Sequence, residues 1–525
     1  MSKQTDKSVK KKTKKHMKTS TKNRAIVTTV IIVLVLLVFS YFAYTTGLPA
    51  KVLPGAKIVQ TVDGKEKTLE RIKIVEMNYY FQKAVSQLSQ YGLLSDSSSL
   101  DEVYNPDSGQ TYRDMLWENA ANTVQSQYML MEEAKKSGFK ASGADMFADS
   151  QVESLRETVT YYNTLRGQSM TADQYLQNVY GPGMTVHIFH DIVEREAEVT
   201  EYQSYLRQTQ FAPDAAAIQA KYDEDPQAYQ LCQYQAYFVA ADIPEGATEE
   251  VKKEKLDEAL AKAHELCDNC KNEVEFQVRV STNATEEYRE RMANGEDPTT
   301  FKDITKSAAK NMSEEFAEMC FNPETKEYTS MAFIDSQQTG AYATLFQKVY
   351  LDEEPTASYR VISLTDDLLG DISNTLEEKA PSHQKFHAQL EQLMGQVNSE
   401  EDFIRLAKEN TMDADTILAG GYTSGVKDSG FKRITTEEGG EAKLPDEDQK
   451  LIDWLFDANR KKGDMYIIDC VDSVKLYYFC DCMEAWKAGI YTTLDDDNYT
   501  AWYNQTTTND TYSTIVNHGL IKFFS

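Results

Sequence analysis

The chain has 525 residues, 41% hydrophobic and 26% charged, with a formal net charge of −28. Such a length exceeds one hydrophobic core of roughly 250–300 residues, and the composition excludes a disordered polymer. Ten of the 55 Lys/Arg lie within residues 1–24 beside one acid, Asp6, leaving 45 basic against 82 acidic side chains beyond; so acidic a body excludes nucleic acid as a partner, because phosphates need a basic face.

Residues 1–24 read as a basic cytoplasmic tail and 25–46 as a transmembrane helix. No charged residue occurs from Ala25 to Ala50, and twenty residues at 1.5 Å each span about 30 Å, the thickness of a bilayer core. Lys22 and Arg24 hold the near end inside, while Tyr41 and Tyr44 mark the far interface. A cleaved signal peptide would carry an apolar region of about 7–15 residues and a small-residue cleavage site, which SYFAYTTGLPA does not offer. The expected placement is a single-pass cell-membrane protein, N-terminus cytoplasmic and body extracytoplasmic, with the lipid bilayer as partner through residues 25–46. Residues 47–70, with Gly47, Pro49, Pro54, Gly55 and Gly64, read as a tether.

A mostly helical region is expected over 71–350. Ile74, Met77, Phe81, Ala84 and Leu88 form one helical stripe that ends near Gly92. Residues 93–110 read as a polar loop. Trp117, Ala120, Ala121, Val124, Tyr128 and Met131 mark a second helix, stopped at Gly138. Thr171-x-x-Gln174 is a capping box opening a short helix that closes at Gly181-Pro182-Gly183. A long helix follows from about Val186 to Arg207, then a short one after Pro213. CQYQAYFVA (232–240) reads as a strand, and 248–273 as an acidic-basic helix; 275–350 carries no assignable pattern. Within that helix Leu256, Leu260, Ala263, Cys267, Cys270 and Val274 share a face. Cys267-x-x-Cys270 therefore reads as packing, since Glu265, Asp268 and Glu273 would raise a thiol pKa that redox chemistry needs lowered. Cys480 and Cys482 share one face of a strand in the same way.

The last third changes in kind. A strand over Ser358–Thr365 is followed by a helix from about Asp371 to Met394, then EEDFIRLAKEN capped by Asn398/Ser399. A glycine-rich turn, AGGYTSGVKDSG, precedes a helix with Ile452, Leu455 and Phe456, and MYIIDC and KLYYFCDC form a hairpin. The expectation is a mainly α region plus a small α+β domain over 351–485, with 486–525 returning to the helical region.

This order, with DFIRLAKENT, Gly420-Gly421 and WLFDANRKKGD, resembles a parvulin-type peptidyl-prolyl isomerase domain. QTYRDMLWENAANTVQSQYMLMEEAKKSGF and YLQNVYGPGMT resemble the chaperone portion of PrsA/SurA-type extracytoplasmic foldases. The resemblance implies a membrane-tethered chaperone that binds unfolded or partly folded exported polypeptides. It also implies a histidine on the first and last strands of the isomerase domain; Ser363 and Tyr477 stand there instead, so isomerase activity is expected to be weak or absent. Trp454, Leu455 and Phe456 either form the apolar slot for substrate or fill the domain core. A non-catalytic envelope scaffold and an active isomerase are the alternatives.

No cofactor is read from the sequence. His383 and His387 stand one helical turn apart with Glu391 a turn further, but without a zinc motif such as H-E-x-x-H. His187-x-x-His190 is weaker still. The glycine-rich turn lacks the Gly-Lys-Ser/Thr of a phosphate loop.

Overall fold

The computed structural model describes residues 46–524 apart from 63, 95–96, 297–298, 372, 434–443 and 509–511. The cytoplasmic tail and the membrane span expected at 25–46 thus lie, but for Thr46, outside the described residues. Among those described, no helix is long and apolar enough to cross a membrane. The fold is mixed α+β, with several small antiparallel sheets among many helices. It divides into two compact units. The first runs to Tyr205 and takes back Ile417–Ala419 and the chain from Ala501; the second holds Leu206–Thr416 and Gly420–Thr500.

The first unit opens with α1 (Leu48–Val52), β1 (Pro54–Val62) and β2 (Lys65–Lys73). The stretch expected as a tether is therefore folded. Ala50, Ile58 and Val59 are fully buried, and the Ile74 amide donates to Leu53 O at 3.0 Å. Helix α2 (Ile74–Gln90) buries Ile74, Met77 and Phe81 on the expected stripe, and Phe81 stacks on Trp117 at 4.2 Å. The loop after it carries two short strands, β3 (Val103–Asn105) and β4 (Gln110–Thr111). Thr111 and Asp114 make a capping box for α3 (Tyr112–Ser137), which stops at Gly138 in the left-handed region, φ 78°. Three helices follow: α4 (Ala144–Arg166), α5 (Ala172–Tyr180), whose Thr171–Gln174 capping box is formed, and α6 (Val186–Thr209).

The second unit contains the same chain course twice. After α7 (Ala215–Glu224) the first module begins with β5 (Gln230–Ala240). It continues through α8 (Glu249–Cys267), α9 (Glu273–Asn283) and α10 (Glu286–Ala293) to β6 (Thr300–Thr305), then α11 (Lys306–Met312) and α12 (Glu314–Phe321), and closes with the hairpin β7 (Ser330–Ile334) and β8 (Gly340–Leu351). The sheet order is β6-β5-β8-β7, all antiparallel.

The second module runs β9 (Pro355–Leu364), α13 (Asp367–Gly370), α14 (Leu376–Met394), α15 (Glu400–Asn410), α16 (Ala414–Ile417), β10 (Tyr422–Val426), α17 (Asp446–Leu455), β11 (Met465–Asp469) and β12 (Val474–Glu484). Its sheet order is β10-β9-β12-β11, again antiparallel. Ser399 caps α15 as expected, accepting from Asp402 N. In both modules the first crossover lies on one face of the sheet and the second on the other, with the hairpin completing the sheet beside the first strand. The central pairings align in register: Ala341 faces Val239 and Thr344 faces Ala236, as Val474 faces Leu364 and Tyr477 faces Val361.

Helix α18 (Ala485–Thr507) leads out of the second module. From Ala501 the chain belongs to the first unit, where β13 (Tyr512–Val516) pairs with β1 to complete the sheet β13-β1-β2, and α19 (His518–Phe524) follows.

One expected helix is two. α8 ends at Cys267, with Asp268 extended, and α9 starts at Glu273. Cys267 and Cys270 are both buried in the core beside Phe276 and Leu345, but Cys270 sits in the turn, its amide donating to Cys267 O, and Val274 faces solvent. Burial, then the Asp268 carboxylate, pushes the Cys267 thiol up to about 12, and burial raises Cys270 as well. These are the properties of packed, inert thiols.

Candidate functional site

Alternation along β9 and β12 sorts their side chains onto two faces. Ile362, Leu364, Leu476 and Tyr478 meet α14 and α15 in one core, with Phe386, Leu390 and Phe403. Val361, Tyr477 and Phe479 point the other way, toward Leu451, Trp454 and Leu455 of α17. Both family-matched positions lie on this second face, for Ser363 is two residues from Val361.

The face is built of rings and hydroxyls. Tyr466 on β11 stands opposite Tyr477 on β12 and stacks on Trp454, centroids 5.8 Å apart. Tyr359 meets Tyr477 edge-on at 5.3 Å. Arg460 also lies over Trp454, its guanidinium 4.6 Å from the ring centre, and its Nε donates to Trp454 O at 2.8 Å. Tyr466 is 38% exposed, so the cluster opens to solvent along its β11 edge. The end of β9 is pinned by the loop after α15: the Ser363 amide donates to Thr411 Oγ1 at 3.1 Å, and the Met412 amide to Ser363 O at 2.8 Å. Met412 itself is exposed and Thr411 buried.

The electrostatics leave this face neutral. Burial raises Tyr477 well above the ordinary phenol range and raises Tyr359 too, with nearby carboxylates adding to it, and burial pushes the Cys470 thiol up to about 11. These groups keep their protons at neutral pH. They can hydrogen-bond a peptide amide, but they cannot act as a general base there. Neither β9 nor β12 contains a histidine.

The residues read from sequence are thus brought together, though not equally. Leu455 is almost fully buried, Trp454 is buried, and Phe456 packs at the cluster's edge. Ser363 is 8% exposed. Tyr359 and Tyr466 were not singled out by sequence reasoning. Each sits on its strand at the period-two spacing of this face, but only the cross-strand register shows that they join Tyr477 and Trp454.

The histidine pair on α14 is otherwise engaged. His383 Nε2 lies 2.8 Å from Cys470 O, and His387 Nδ1 lies 3.0 Å from Asp469. Among the described residues, Asp145, His190 and Glu194, on α4 and α6, bring three possible ligand atoms within 4.8 Å of one another.

In the first unit α3 is flanked by clefts. Tyr128, Met129, Trp502 and Tyr512 line one of about 350 Å³ together with Glu132. Met131, Ala134, Phe139 and Val199 line a more apolar one of about 370 Å³, with Glu198 at its side. Burial, then the neighbouring Glu194, raises the Glu198 carboxyl.

Compared with known proteins, the sequence matches no protein-family model and no curated protein.

Proposed function

We propose that the chain is a membrane-tethered extracytoplasmic foldase of the PrsA/SurA kind, which holds unfolded exported polypeptide and has weak or no peptidyl-prolyl isomerase activity. The observation that carries this reading is the face of Tyr359, Tyr477, Trp454 and Tyr466. Its Tyr466 ring is exposed at one edge, stacked on the buried Trp454, and its central strands carry no imidazole. Ring faces bind side chains of many kinds at low entropic cost, which suits a holder of varied clients. The order of elements over 355–484 supports the parvulin resemblance, and the clefts beside α3 supply further surface in the helical unit.

Rotation about X-Pro crosses a barrier of about 18–20 kcal/mol without breaking a bond, so catalysis requires groups that favour the twisted amide over the planar one. Hydroxyls held neutral by burial can bind the carbonyl in either state.

Full-length protein in nanodiscs should suppress aggregation of a reduced, unfolded client and leave X-Pro isomerisation of a tetrapeptide nearly unchanged. Acceleration of about a hundredfold, equal to about 2.7 kcal/mol of barrier, would establish an active isomerase. Failure to suppress aggregation, with one defined partner recovered instead, would point to a scaffold.

A further inference from the structure

The apolar run ends at Tyr44, and the folded body begins at once. Gly47 precedes α1 with a left-handed φ of 64°, and its backbone lies against the turn between α5 and α6. A Cβ on Gly47 would fall 2.2 Å from Gly183 N and 2.6 Å from Pro182 C, and one on Gly183 would fall 2.7 Å from Gly47 O. Two glycine backbones meet there with no room for a side chain on either. Lys51 belongs to the same short helix, and its Cγ lies against Gly183. Ala50 of α1 is fully buried in the unit's main core, with Leu53 packed beside it. Between the apolar run and this fixed point only Thr45 and Thr46 intervene.

Near the fixed point along the chain stand exposed apolar side chains. Leu48 is 43% and Val52 62% exposed, one helical turn apart on α1, and Val179, two residues before the Gly181–Gly183 turn, is 39% exposed. Exposed Leu and Val side chains on a soluble surface need no explanation singly, but grouped at the point of chain entry they mark a contact.

We infer that this face of the first unit, formed by Leu48, Lys51, Val52 and Val179, rests on the outer surface of the lipid bilayer. The inference rests on the proposed membrane placement of residues 25–46. Two residues span at most about 7 Å, which keeps Gly47 within the headgroup layer. The valine and leucine side chains enter the interface, where apolar groups gain from burial, and Lys51 reaches lipid phosphates. The body is consequently docked and not swinging on a tether.

The experiment uses full-length protein reconstituted in phosphatidylcholine–phosphatidylglycerol vesicles, in a Cys482→Ser background because Cys482 is the exposed cysteine. Leu48→Cys, Val52→Cys, Val179→Cys and Lys67→Cys variants are labelled with an environment-sensitive dye, with and without headgroup-proximal spin-labelled lipid. Val179 decides the matter, since it lies far along the chain and reaches the bilayer only if the body is docked through the Gly47–Gly183 contact. The expected result is quenching at 48, 52 and 179 several-fold stronger than at 67, on the far end of the β1–β2 hairpin. Inserting a flexible Gly-Ser spacer between Thr46 and Gly47 should weaken quenching at 179. Protein retained after alkaline extraction but unquenched at 179 would overturn the docking while leaving the membrane placement standing. Protein released by alkaline extraction would overturn both.

Discussion

The two modules of the second unit are built to the same plan and finished differently. In the first, two helices cover the second face of the sheet: α12 drives Phe316 between Tyr234, at 5.0 Å, and Phe333, at 5.1 Å, and Phe333 leans on Tyr342. The place taken by Tyr477 in the second module is taken here by Thr344, buried, with its hydroxyl donating to Met331 O, and the place of Ser363 by Phe238, whose ring pairs with Tyr342. In the second module, among the described residues, one ten-residue helix, α17, buries Tyr477 on the same face, and Tyr466 is left exposed at its β11 edge. The same backbone therefore carries different rings at the rim of this face: Phe238 and Tyr342 are half-buried in the first module, and Tyr466 is exposed in the second. Function lives in such local finishing and not in the fold.

The largest effect that would test this contrast comes from the first module's face. Phe316 is fully buried, so Phe316→Ala should cost about 3–5 kcal/mol, read as a fall in the urea midpoint, without altering client binding. A binding defect at unchanged stability would break the comparison, because it would make the first module a surface as well. The paired change Cys267→Ala with Cys270→Ala, on the opposite face of the first module, should cost about 1–3 kcal/mol. The native protein should meanwhile resist iodoacetamide at both positions at pH 8, because both thiols are buried and raised above the ordinary range.

Acid should separate the modules. In the second, Glu400 accepts from Arg360 Nε at 2.9 Å and from Lys462 at 2.7 Å, with Arg360 itself buried. Burial raises the Glu400 carboxyl, but Lys462 and Arg360 outweigh it and hold it below the usual 4.5. A lowered folded pKa means that the stabilisation is complete above about pH 4.5 and is lost as pH falls through the folded value. In the first module Glu275 is likewise lowered, by the Lys271 amide and Arg279, but on the surface, where screening leaves little effect. Hydrogen exchange between pH 5 and 3 should therefore loosen β9 and α15 before β5 and α8, and Glu400→Gln should flatten that dependence. Simultaneous loosening would place the acid-sensitive contact elsewhere.

The sequence reveals the second module more readily than the first for physical reasons. YRVISL and KLYYFC alternate large apolar side chains, the pattern of strands buried on both faces by bulky neighbours. The first module's central hairpin packs Ala341 and Ala343 against α8, and small side chains give weak hydrophobic periodicity. Its α12 has eight residues, too short for a stripe to stand out. The apparent stripe from Leu256 to Val274 joins two helices across a turn, because Cys267 and Cys270 reach one core from different elements. The candidate site was half legible: Ser363, Tyr477 and Trp454 are singled out through the family resemblance, whereas Tyr466 and Tyr359 enter through register, a property of paired strands that no single strand encodes.

The smallest expected change in stability belongs to the residue that matters most for the contrast. Tyr466 is on an edge strand, with one ring face on Trp454 and its rim in solvent. Tyr466→Ala forfeits a partly exposed ring contact of about 0.5–1.5 kcal/mol, and the sheet register remains fixed by β9 and β12. A surface that binds clients through rings must nevertheless weaken when its most accessible ring is removed, because binding energy concentrates in a few aromatic anchors. Client affinity, measured by anisotropy of a labelled unfolded polypeptide, should fall several-fold in Tyr466→Ala and recover in Tyr466→Phe, which restores the ring without the hydroxyl. Loss in both variants would assign the contact to the hydroxyl; loss in neither would leave the open face of the second module without a role in binding and move the grip to the clefts beside α3. Thr344→Ala, at the place in the first module that matches Tyr477 in register, should leave affinity unchanged, since its hydroxyl is spent on Met331 O inside the core.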